Sequence, residues 1–494
     1  MNSITFSRHR SEFQRKLSED RKKIQTSTCI FVPADKTTNV YKVPVDDYKK
    51  LVSDNVTANY KKANKGSQLS INREAKKIAK QFDLDERIEC LAEREAFVTL
   101  KDHKDNFENN PKCRLLNPCK SEIGVISKHH LQEINQSIRE RTHLQQWRNT
   151  QTVLKWFSDL EQKSKLRFVQ LDIVDFYPSI SEQLLTKAIA FARSQVDIDP
   201  KIIDVILHAR KSLLFTSEGT WVKKNGSLFD VTMGSYDGAE VCELVGLYLL
   251  DQMTTALPTI NFGLYRDDGL GSYANMPGPQ TERTRKKITK IFKDNVFSIT
   301  IDMNLLKVNY LDTSMDMSTG KYQPYRKPND KPLYINCKSN HPPNIIKQIP
   351  TMIQNRLSEL SSGADEFEKA KEDYCEALSN SGFDGNMKFE KPKRKKRKRK
   401  RNVIWFNPPY NESVENNIGK QFLGLVDKHF PTHHKYHKIF NRRTLKLSYS
   451  CTPNIKAIIS SHNKKTLNSS ESAEPAQMCN CRVRNSCPLN ISIM

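Results

Sequence analysis

The sequence predicts an α+β fold, and three observations carry that prediction. Phe168–Ile173 alternates apolar and polar residues as a half-buried strand does. Phe262–Tyr265 and Leu270–Tyr273 flank Arg266-Asp267-Asp268-Gly269, which reads as strand, tight turn, strand. Between them Ala239–Thr254 is long and apolar enough for a buried helix.

The other elements follow in chain order. Residues 1–28 are charged and read as helical or loose. Residues 29–48 alternate around Pro33 and Pro44, which suggests two short strands or turns. Asp47–Ala92 is rich in Lys and Glu and reads as helices. Ala96–Leu100 and Lys112–Leu116 read as strands, with Asn109-Asn110-Pro111 breaking the chain between them. Helical periodicity runs from about His129 to Arg148. A helix from Ser181 to about Ser194 has Ser179 or Ser181 as its cap. Residues 213–234 suggest a hairpin turning at Asn225-Gly226. Thr281–Lys293 is a basic helix. Strands are expected at 297–302, 308–316 and 321–326, and helices at 343–361 and 364–380.

With 494 residues the chain is long enough for two to four structural units of ~100–200 residues. Its 22 Phe, 16 Tyr and 4 Trp can build cores, which excludes a wholly disordered chain. The net charge is +24, and a cluster of ten cations at Lys391–Arg401 supplies ten of those charges. The excess that remains still points to a polyanionic partner, most simply nucleic acid. No apolar run reaches transmembrane length: Val241–Leu250 is too short and is interrupted by Glu243. The N-terminal residues carry charge throughout and form no signal peptide. Eleven scattered cysteines read as reduced thiols rather than a disulfide framework.

The chemistry is expected at two acidic positions. Asp172 ends an apolar strand, and Asp267-Asp268 occupies a tight turn. Two acids in a turn are by themselves a common solvated feature. Placed beside a strand end, they would cluster three carboxylates, with Arg266 directed to the opposite face by strand alternation. Such a cluster suits two hard divalent ions. Held ~3.5–4 Å apart, two ions activate a 3′-hydroxyl and stabilise a leaving pyrophosphate in an in-line displacement.

These segments carry a family resemblance. FVQLDIVDFYPSI (168–180) resembles motif A of reverse transcriptases, LYRDDGLGSY (264–273) resembles motif C, and VTMGSYDGAE (231–240) stands in the place of motif B. Lys101 to Pro118 resembles the fingers strands that hold the triphosphate. Lys307 to Met317 resembles the strand leading to the primer grip. VPADKTTN (32–39), SNHPPNIIKQIPTMIQNR (339–356) and the cysteine-containing tail are similar to the Penelope-like retroelement branch. The resemblance covers residues 29–380 well and 402–488 moderately.

It implies a right-hand polymerase fold: fingers and an antiparallel palm over 29–312, and a helical thumb over 313–385. A basic linker over 386–402 and a C-terminal region over 403–494 follow, and 1–28 form a charged N-terminal segment. The implied activity is RNA-directed DNA synthesis with two Mg²⁺ ions, or Mn²⁺ in their place. The partners are an RNA template, a DNA primer or target DNA, and dNTPs.

Residue by residue, Asp172, Asp267 and Asp268 would be the catalytic and metal carboxylates, and the Ile173 carbonyl would complete one metal site. Tyr177 would exclude a 2′-hydroxyl. Arg114 and Lys101 would grip the triphosphate, Arg114 through bidentate contacts. Gly234 and Gly238 would let the backbone approach template and nucleotide. Lys307 would protonate pyrophosphate. Asp35 and Lys36 resemble an N-terminal element of the branch, with no role assigned beyond nucleic-acid contact. His341-Pro342-Pro343 reads as the start of the thumb. The chain departs from the commonest pattern at Asp237, where many reverse transcriptases carry Gln, and an acid there would face template phosphate.

The basic run, Lys391, Lys393, Arg394, Lys395, Lys396, Arg397, Lys398, Arg399, Lys400 and Arg401, reads as a nuclear localisation signal, a nucleic-acid arm, or both. A plain solvated linker is the alternative. The expected location is nuclear, and cytoplasmic during translation. Cys479, Cys481 and Cys487 fall one short of the four ligands of a structural zinc site unless His462 or a second chain supplies one, so zinc is not expected. In the branch a GIY-YIG endonuclease follows such a tail, and the sequence is expected to lack it. An alternative of another class is a catalytically silent nucleic-acid-binding protein that keeps the fold. A translated mobile-element remnant is a third. Oligomeric state, template and priming mode are not legible in the sequence.

Overall fold

The structure is a computed structural model that describes residues 5–6, 12–64, 66–83, 94–102, 104, 106–108, 110–118, 121–327, 332–391, 403–411, 414–415, 418–450 and 454–468. All but the first member of the basic run and the three tail cysteines lie outside these residues.

The N-terminal third forms β1 (Thr5–Phe6), α1 (Glu12–Thr26), β2 (Ile30–Pro33), β3 (Val40–Val43), α2 (Val45–Asn59), β4 (Tyr60–Lys62), α3 (Gly66–Gln81), β5 (Phe97–Leu100) and β6 (Cys113–Leu116). Two antiparallel hairpins, β2–β3 and β5–β6, are joined where Ala34 bridges Leu100. Ile30, Val32, Val98 and Leu100 close a small core between the hairpins and Tyr48.

Next come α4 (Ile123–Thr142), β7 (Gln145–Gln146), α5 (Thr150–Asp159), β8 (Leu166–Ile173), α6 (Phe176–Ser179), α7 (Glu182–Gln195), α8 (Pro200–His208), β9 (Leu214–Thr216), β10 (Gly219–Lys223), α9 (Gly238–Ala256), β11 (Asn261–Tyr265), β12 (Asp268–Ala274), α10 (Gly278–Asp294) and β13 (Ile299–Leu305). Local chemistry starts several of them. Ser181 Oγ accepts from the Leu184 amide at 3.2 Å as the cap of α7. Asn149 and Thr152 form a capping box on α5. Asp199 caps α8, with Pro200 in its first turn.

The central sheet has the order β13-β8-β12-β11-β7. Its two faces follow from the two-residue period of a strand. Val169, Leu171 and Ile173 face α4, α7, α9 and α10 in the main core. Phe168 and Leu270 face a second core with Trp147, Trp156 and Phe157. α9 is buried along most of its length, so its sequence is apolar nearly all round.

β14 (Lys307–Tyr310), β15 (Thr313–Asp316) and β16 (Tyr322–Pro324) form a small sheet under the central one. α11 (Pro343–Glu359) and α12 (Ala364–Asn380) pack around Leu357, Phe367, Leu378 and Met387. Arg356 of α11 pairs with Asp312 in the β14–β15 turn, which ties this helical unit to the sheet. The C-terminal part holds β17 (Ile404–Phe406), β18 (Val414–Glu415), α13 (Ile418–His429), β19 (Leu445–Leu447) and α14 (Ile455–Asn468). Among the described residues no helix is long and apolar enough to cross a membrane.

Several expectations need correction. The helix expected at 129–148 starts at Ile123 and ends at Thr142, where His143 takes a left-handed conformation. The hairpin expected to turn at Asn225-Gly226 turns instead at 217–218, between β9 and β10; the Gly226 amide closes a separate turn on Lys223 at 2.8 Å. The strand expected at 308–316 is two strands, folded back at Leu311, whose φ is 54°. α14 packs on α1 and β2, where Asn463 bonds both backbone groups of Phe31.

Candidate active site

β8 and β12 run antiparallel, and their register sets Asp172 opposite Asp268. The two side chains share the sheet face that points away from α4, α7, α9 and α10, because their neighbours Leu171 and Gly269 take the other. Gly269 is required there: a Cβ would lie 2.7 Å from both Leu171 Cδ1 and Phe262 Cζ. Asp267 belongs to the two-residue turn between β11 and β12, and its carbonyl accepts from the Ile173 amide at 2.9 Å. The Tyr310 hydroxyl donates to the Asp268 carbonyl at 2.7 Å and fixes the start of β12 from below.

The three carboxylates feel one another. Burial pushes Asp268 up to about 6, and the charges of Asp267 and Asp172 add to the shift. Burial, then Asp267, raises Asp172 as well. Lys36, Lys104 and Lys327 act in the opposite direction on Asp172. The oxygens of the three groups do not all come within 4.8 Å of one another. Among the described residues the side chains that do are His129, His130 and Glu133, on the surface of α4.

Arg266 is directed away from the carboxylates, but not by strand alternation. It holds a left-handed φ of 56° as the first turn residue, and its guanidinium lies 5.7 Å from the Tyr265 ring centre. Its charge acts on Tyr177 and Glu243, on the α9 side of the turn.

Tyr177 sits in the α6 turn, half-buried between α9 and the Asp267 turn. A Cβ on Gly238 would lie 3.7 Å from its Cε1 and 2.6 Å from Ser235 Oγ, so this glycine lets the tyrosine and the 232–235 turn close on α9. Gly234 is exposed with φ at 116°, and a Cβ there would lie 2.9 Å from the Asn117 carbonyl oxygen.

Asp237 does not face solvent. It is fully buried, paired with an equally buried Arg210, and accepts from Ser127 Oγ at 2.5 Å. The expected conflict with template phosphate therefore does not arise from its side chain. Arg210 carries no motif signal, which is why the pair is not legible from the sequence.

Arg114 lies on β6, and its Nη1 is 3.0 Å from Asp35 Oδ1. Lys101 follows β5, with its amide on the Lys112 carbonyl at 2.8 Å. Lys104, rather than Lys101, is among the cations whose charge reaches Asp172. Lys36 and Lys327, also absent from the expected set, do the same. Lys307 is exposed at the end of β14 opposite Asp316. It stands about 10 Å along the strand from the Tyr310 end that touches Asp268. His462 is committed elsewhere: its Nε2 meets the Cys29 carbonyl at 3.0 Å. His341 bonds Ser339, and α11 begins at Pro343.

No known-family model matches the chain, and no curated protein matches it. Among solved structures, apo telomerase from Candida tropicalis aligns at 10% identity over 75% of this chain and 71% of that one, with a TM-score of 0.47. A C-terminally truncated form of the same protein aligns at 12% identity over 60% of this chain, with a TM-score of 0.42, and only 63% of that chain is spanned. The RNA-dependent RNA polymerase of a human picobirnavirus aligns at 9% identity over 76% and 86% of the two chains, with a TM-score of 0.41. At these values the reading of the fold rests on the strand order and the carboxylate register. The mixed sheet-and-helix architecture fits an α+β right-hand polymerase fold.

Proposed function

We propose that this chain is an RNA-directed DNA polymerase of a Penelope-like retroelement, extending a primer 3′-hydroxyl with dNTPs on an RNA template. The pairing of Asp172 with Asp268 across β8 and β12, with Asp267 in the adjoining turn, is the observation that carries the reading.

The donor set fits two hard divalent ions: carboxylate oxygens, of which Asp172 and Asp268 are raised first by burial and then by their acidic neighbours. Asp172, Asp267 and Asp268, with the Ile173 carbonyl, would hold two Mg²⁺, or Mn²⁺ in their place. Bound there, such ions lower the pKa of the attacking hydroxyl and offset charge on the leaving group. The chain's own groups bind and orient. Arg114 would hold the triphosphate, the Tyr177 ring would limit space at the sugar 2′ position, and the exposed turn at Gly234, which its glycine lets close on the Asn117 carbonyl, would approach nucleic-acid backbone. We assign no part to Lys307, which lies at the far end of its strand.

The division into charged N-terminal segment, fingers and palm, thumb, basic linker and C-terminal region is part of the same proposal. So is nuclear targeting by the run at 391–401, whose charge would add salt-dependent phosphate binding. The test is extension of a primed RNA with dNTPs and Mg²⁺, beside the double variant Asp267→Asn, Asp268→Asn. Extension by the wild type alone is expected. Robust extension by the double variant would remove the mechanism, and template binding without extension by the wild type would favour the silent binder.

A further inference from the structure

The loop between β2 and β3 is held in place more firmly than a surface loop needs. The Ala34 amide donates to the Asn39 carbonyl at 2.9 Å and closes it. The Asp35 amide donates to the Leu100 carbonyl at 2.7 Å, and its carboxylate, 8% exposed, pairs with Arg114. On the other side one oxygen of Asp102 accepts three donors from the loop: Thr37 Oγ1 at 2.5 Å, Asn39 Nδ2 at 3.0 Å and the Tyr41 hydroxyl at 3.0 Å. The residue between these anchors is Lys36, whose backbone is thereby fixed against the fingers hairpin β5–β6.

Among the described residues the side chains of Lys36, Lys104 and Lys327 make no hydrogen bond or ion pair, and the Lys104 amide bonds the Lys101 carbonyl at 3.1 Å. Yet these three and Arg114 converge from separate stretches of chain. The charges of Lys327, Arg114 and Lys104 all act on Lys36, and Lys36 and Lys327 act on both Asp172 and Asp268. Asp35 neutralises one of the four cations. The surplus charge acts on the carboxylate cluster, and the mutual repulsion of the cations makes it unfavourable until a multiply charged anion enters.

We infer that Lys36 is a direct ligand of the nucleotide triphosphate, completing with Lys104, Arg114 and Lys327 a cationic cradle opposite Asp172 and Asp268. The inference rests on the polymerase reading and adds to it a ligand from outside the fingers hairpin, presented by the 34–39 loop. Asp102 acts through Lys36 and is a positioning residue. A polyphosphate suits this set better than nucleic-acid backbone, because the cations gather at one point beside the aspartates instead of running along a groove.

The experiment measures two quantities on the full chain with Lys36→Ala and Lys36→Arg. One is KM for dNTP and kcat in primer extension. The other is the Kd of inorganic tripolyphosphate by calorimetry in Mg²⁺ buffer, which requires no turnover. Lys36→Ala is expected to raise both KM and the tripolyphosphate Kd about tenfold, the loss of one charge-assisted hydrogen bond. It should leave kcat and the template–primer Kd in place, and Lys36→Arg should recover part of the loss. An unchanged tripolyphosphate Kd overturns the inference. So does a weakened template–primer Kd with KM unchanged, which would assign Lys36 to nucleic-acid phosphate. If the wild type fails to extend any primer, the polymerase reading falls separately, and the tripolyphosphate Kd still decides whether the cradle exists.

Discussion

Arg210 and Asp237 form an ion pair in the interior, with both side chains almost wholly shielded from water. Asp237 precedes α9, and Ser127 of α4 donates to its second oxygen, so the pair joins α4, α9 and the segment after α8. Removing one partner leaves the other charge buried and unpaired, which costs about 3–5 kcal/mol. Asp237→Ala is therefore expected to lower the urea midpoint of unfolding by that amount of stability. Asp237→Asn should cost less, because the amide still accepts from Ser127. A loss below 1 kcal/mol for the alanine variant, on the order of an exposed pair, would show that water reaches Arg210.

The carboxylate cluster should destabilise the metal-free protein. Asp268 rises to about 6 in the folded state because of burial and its acidic neighbours, so the folded chain binds this proton more tightly than the unfolded chain. The stability from that proton is present at low pH and is lost as pH climbs through about 6. At pH 8 the ionised group opposes folding by up to about 2–3 kcal/mol. Asp268→Asn is then expected to raise the melting temperature at pH 8, and the gain should shrink toward pH 4.5. Mg²⁺ should raise the melting temperature of the wild type and leave that of the variant nearly unchanged. A variant less stable than the wild type at pH 8 would contradict the repulsion.

The sheet was legible where periodicity and turn chemistry agree. Phe168–Ile173 alternates because β8 has a core on each face, and Tyr265 to Gly269 can only reverse the chain. Periodicity and turn chemistry put one acidic segment at a strand end and the other at a hairpin tip, while their adjacency comes from the pairing of β8 with β12. What stayed hidden depends on pairing across long separations. Arg210 sits in a stretch with no motif, 27 residues from its partner, and the two are brought together because α8 and α9 both pack on α4. Lys104 and Lys327 read as ordinary surface lysines, and Lys36 carries no signal beyond nucleic-acid contact. Their convergence depends on the bridge of Ala34 to Leu100 and on the pairing of β16 with β15, just before residue 327. The 308–316 segment is read as one strand for a local reason: alternation at Val308 and Tyr310 resumes at Thr313 and Met315, and a positive φ at Leu311 has no composition signal.

The C-terminal helix shields a strand edge. Asn463 Oδ1 accepts from the Phe31 amide at 3.0 Å and its Nδ2 donates to the Phe31 carbonyl at 2.8 Å, as a neighbouring strand would. His462 adds a bond to Cys29 and an edge contact to the Phe31 ring. Asn463→Ala strips both backbone partners, an expected loss of about 1–3 kcal/mol confined to this contact. Amide exchange at Phe31 and cleavage near 454 by a dilute protease should both accelerate, while global unfolding shifts little. Unchanged exchange at Phe31 would show that α14 does not cover β2 in solution.

Tyr177 is expected to select deoxynucleotides by bulk, and its surroundings define how that is tested. Its ring is wedged between the start of α9 and the Asp267 turn, so it cannot swing aside without disturbing Gly238. Tyr177→Ala should lower the ratio of kcat/KM for dNTP over the matching ribonucleotide by about ten- to two-hundredfold, the range in which a pocket senses small steric differences. Tyr177→Phe should keep the ratio, because the ring and not the hydroxyl fills the space. The alanine variant also opens a partly buried cavity and should lose about 2–4 kcal/mol of stability, so both ratios are best compared below its melting transition. A ratio equal to that of the wild type in a folded Tyr177→Ala protein would leave the tyrosine a packing residue and move the sugar discrimination elsewhere.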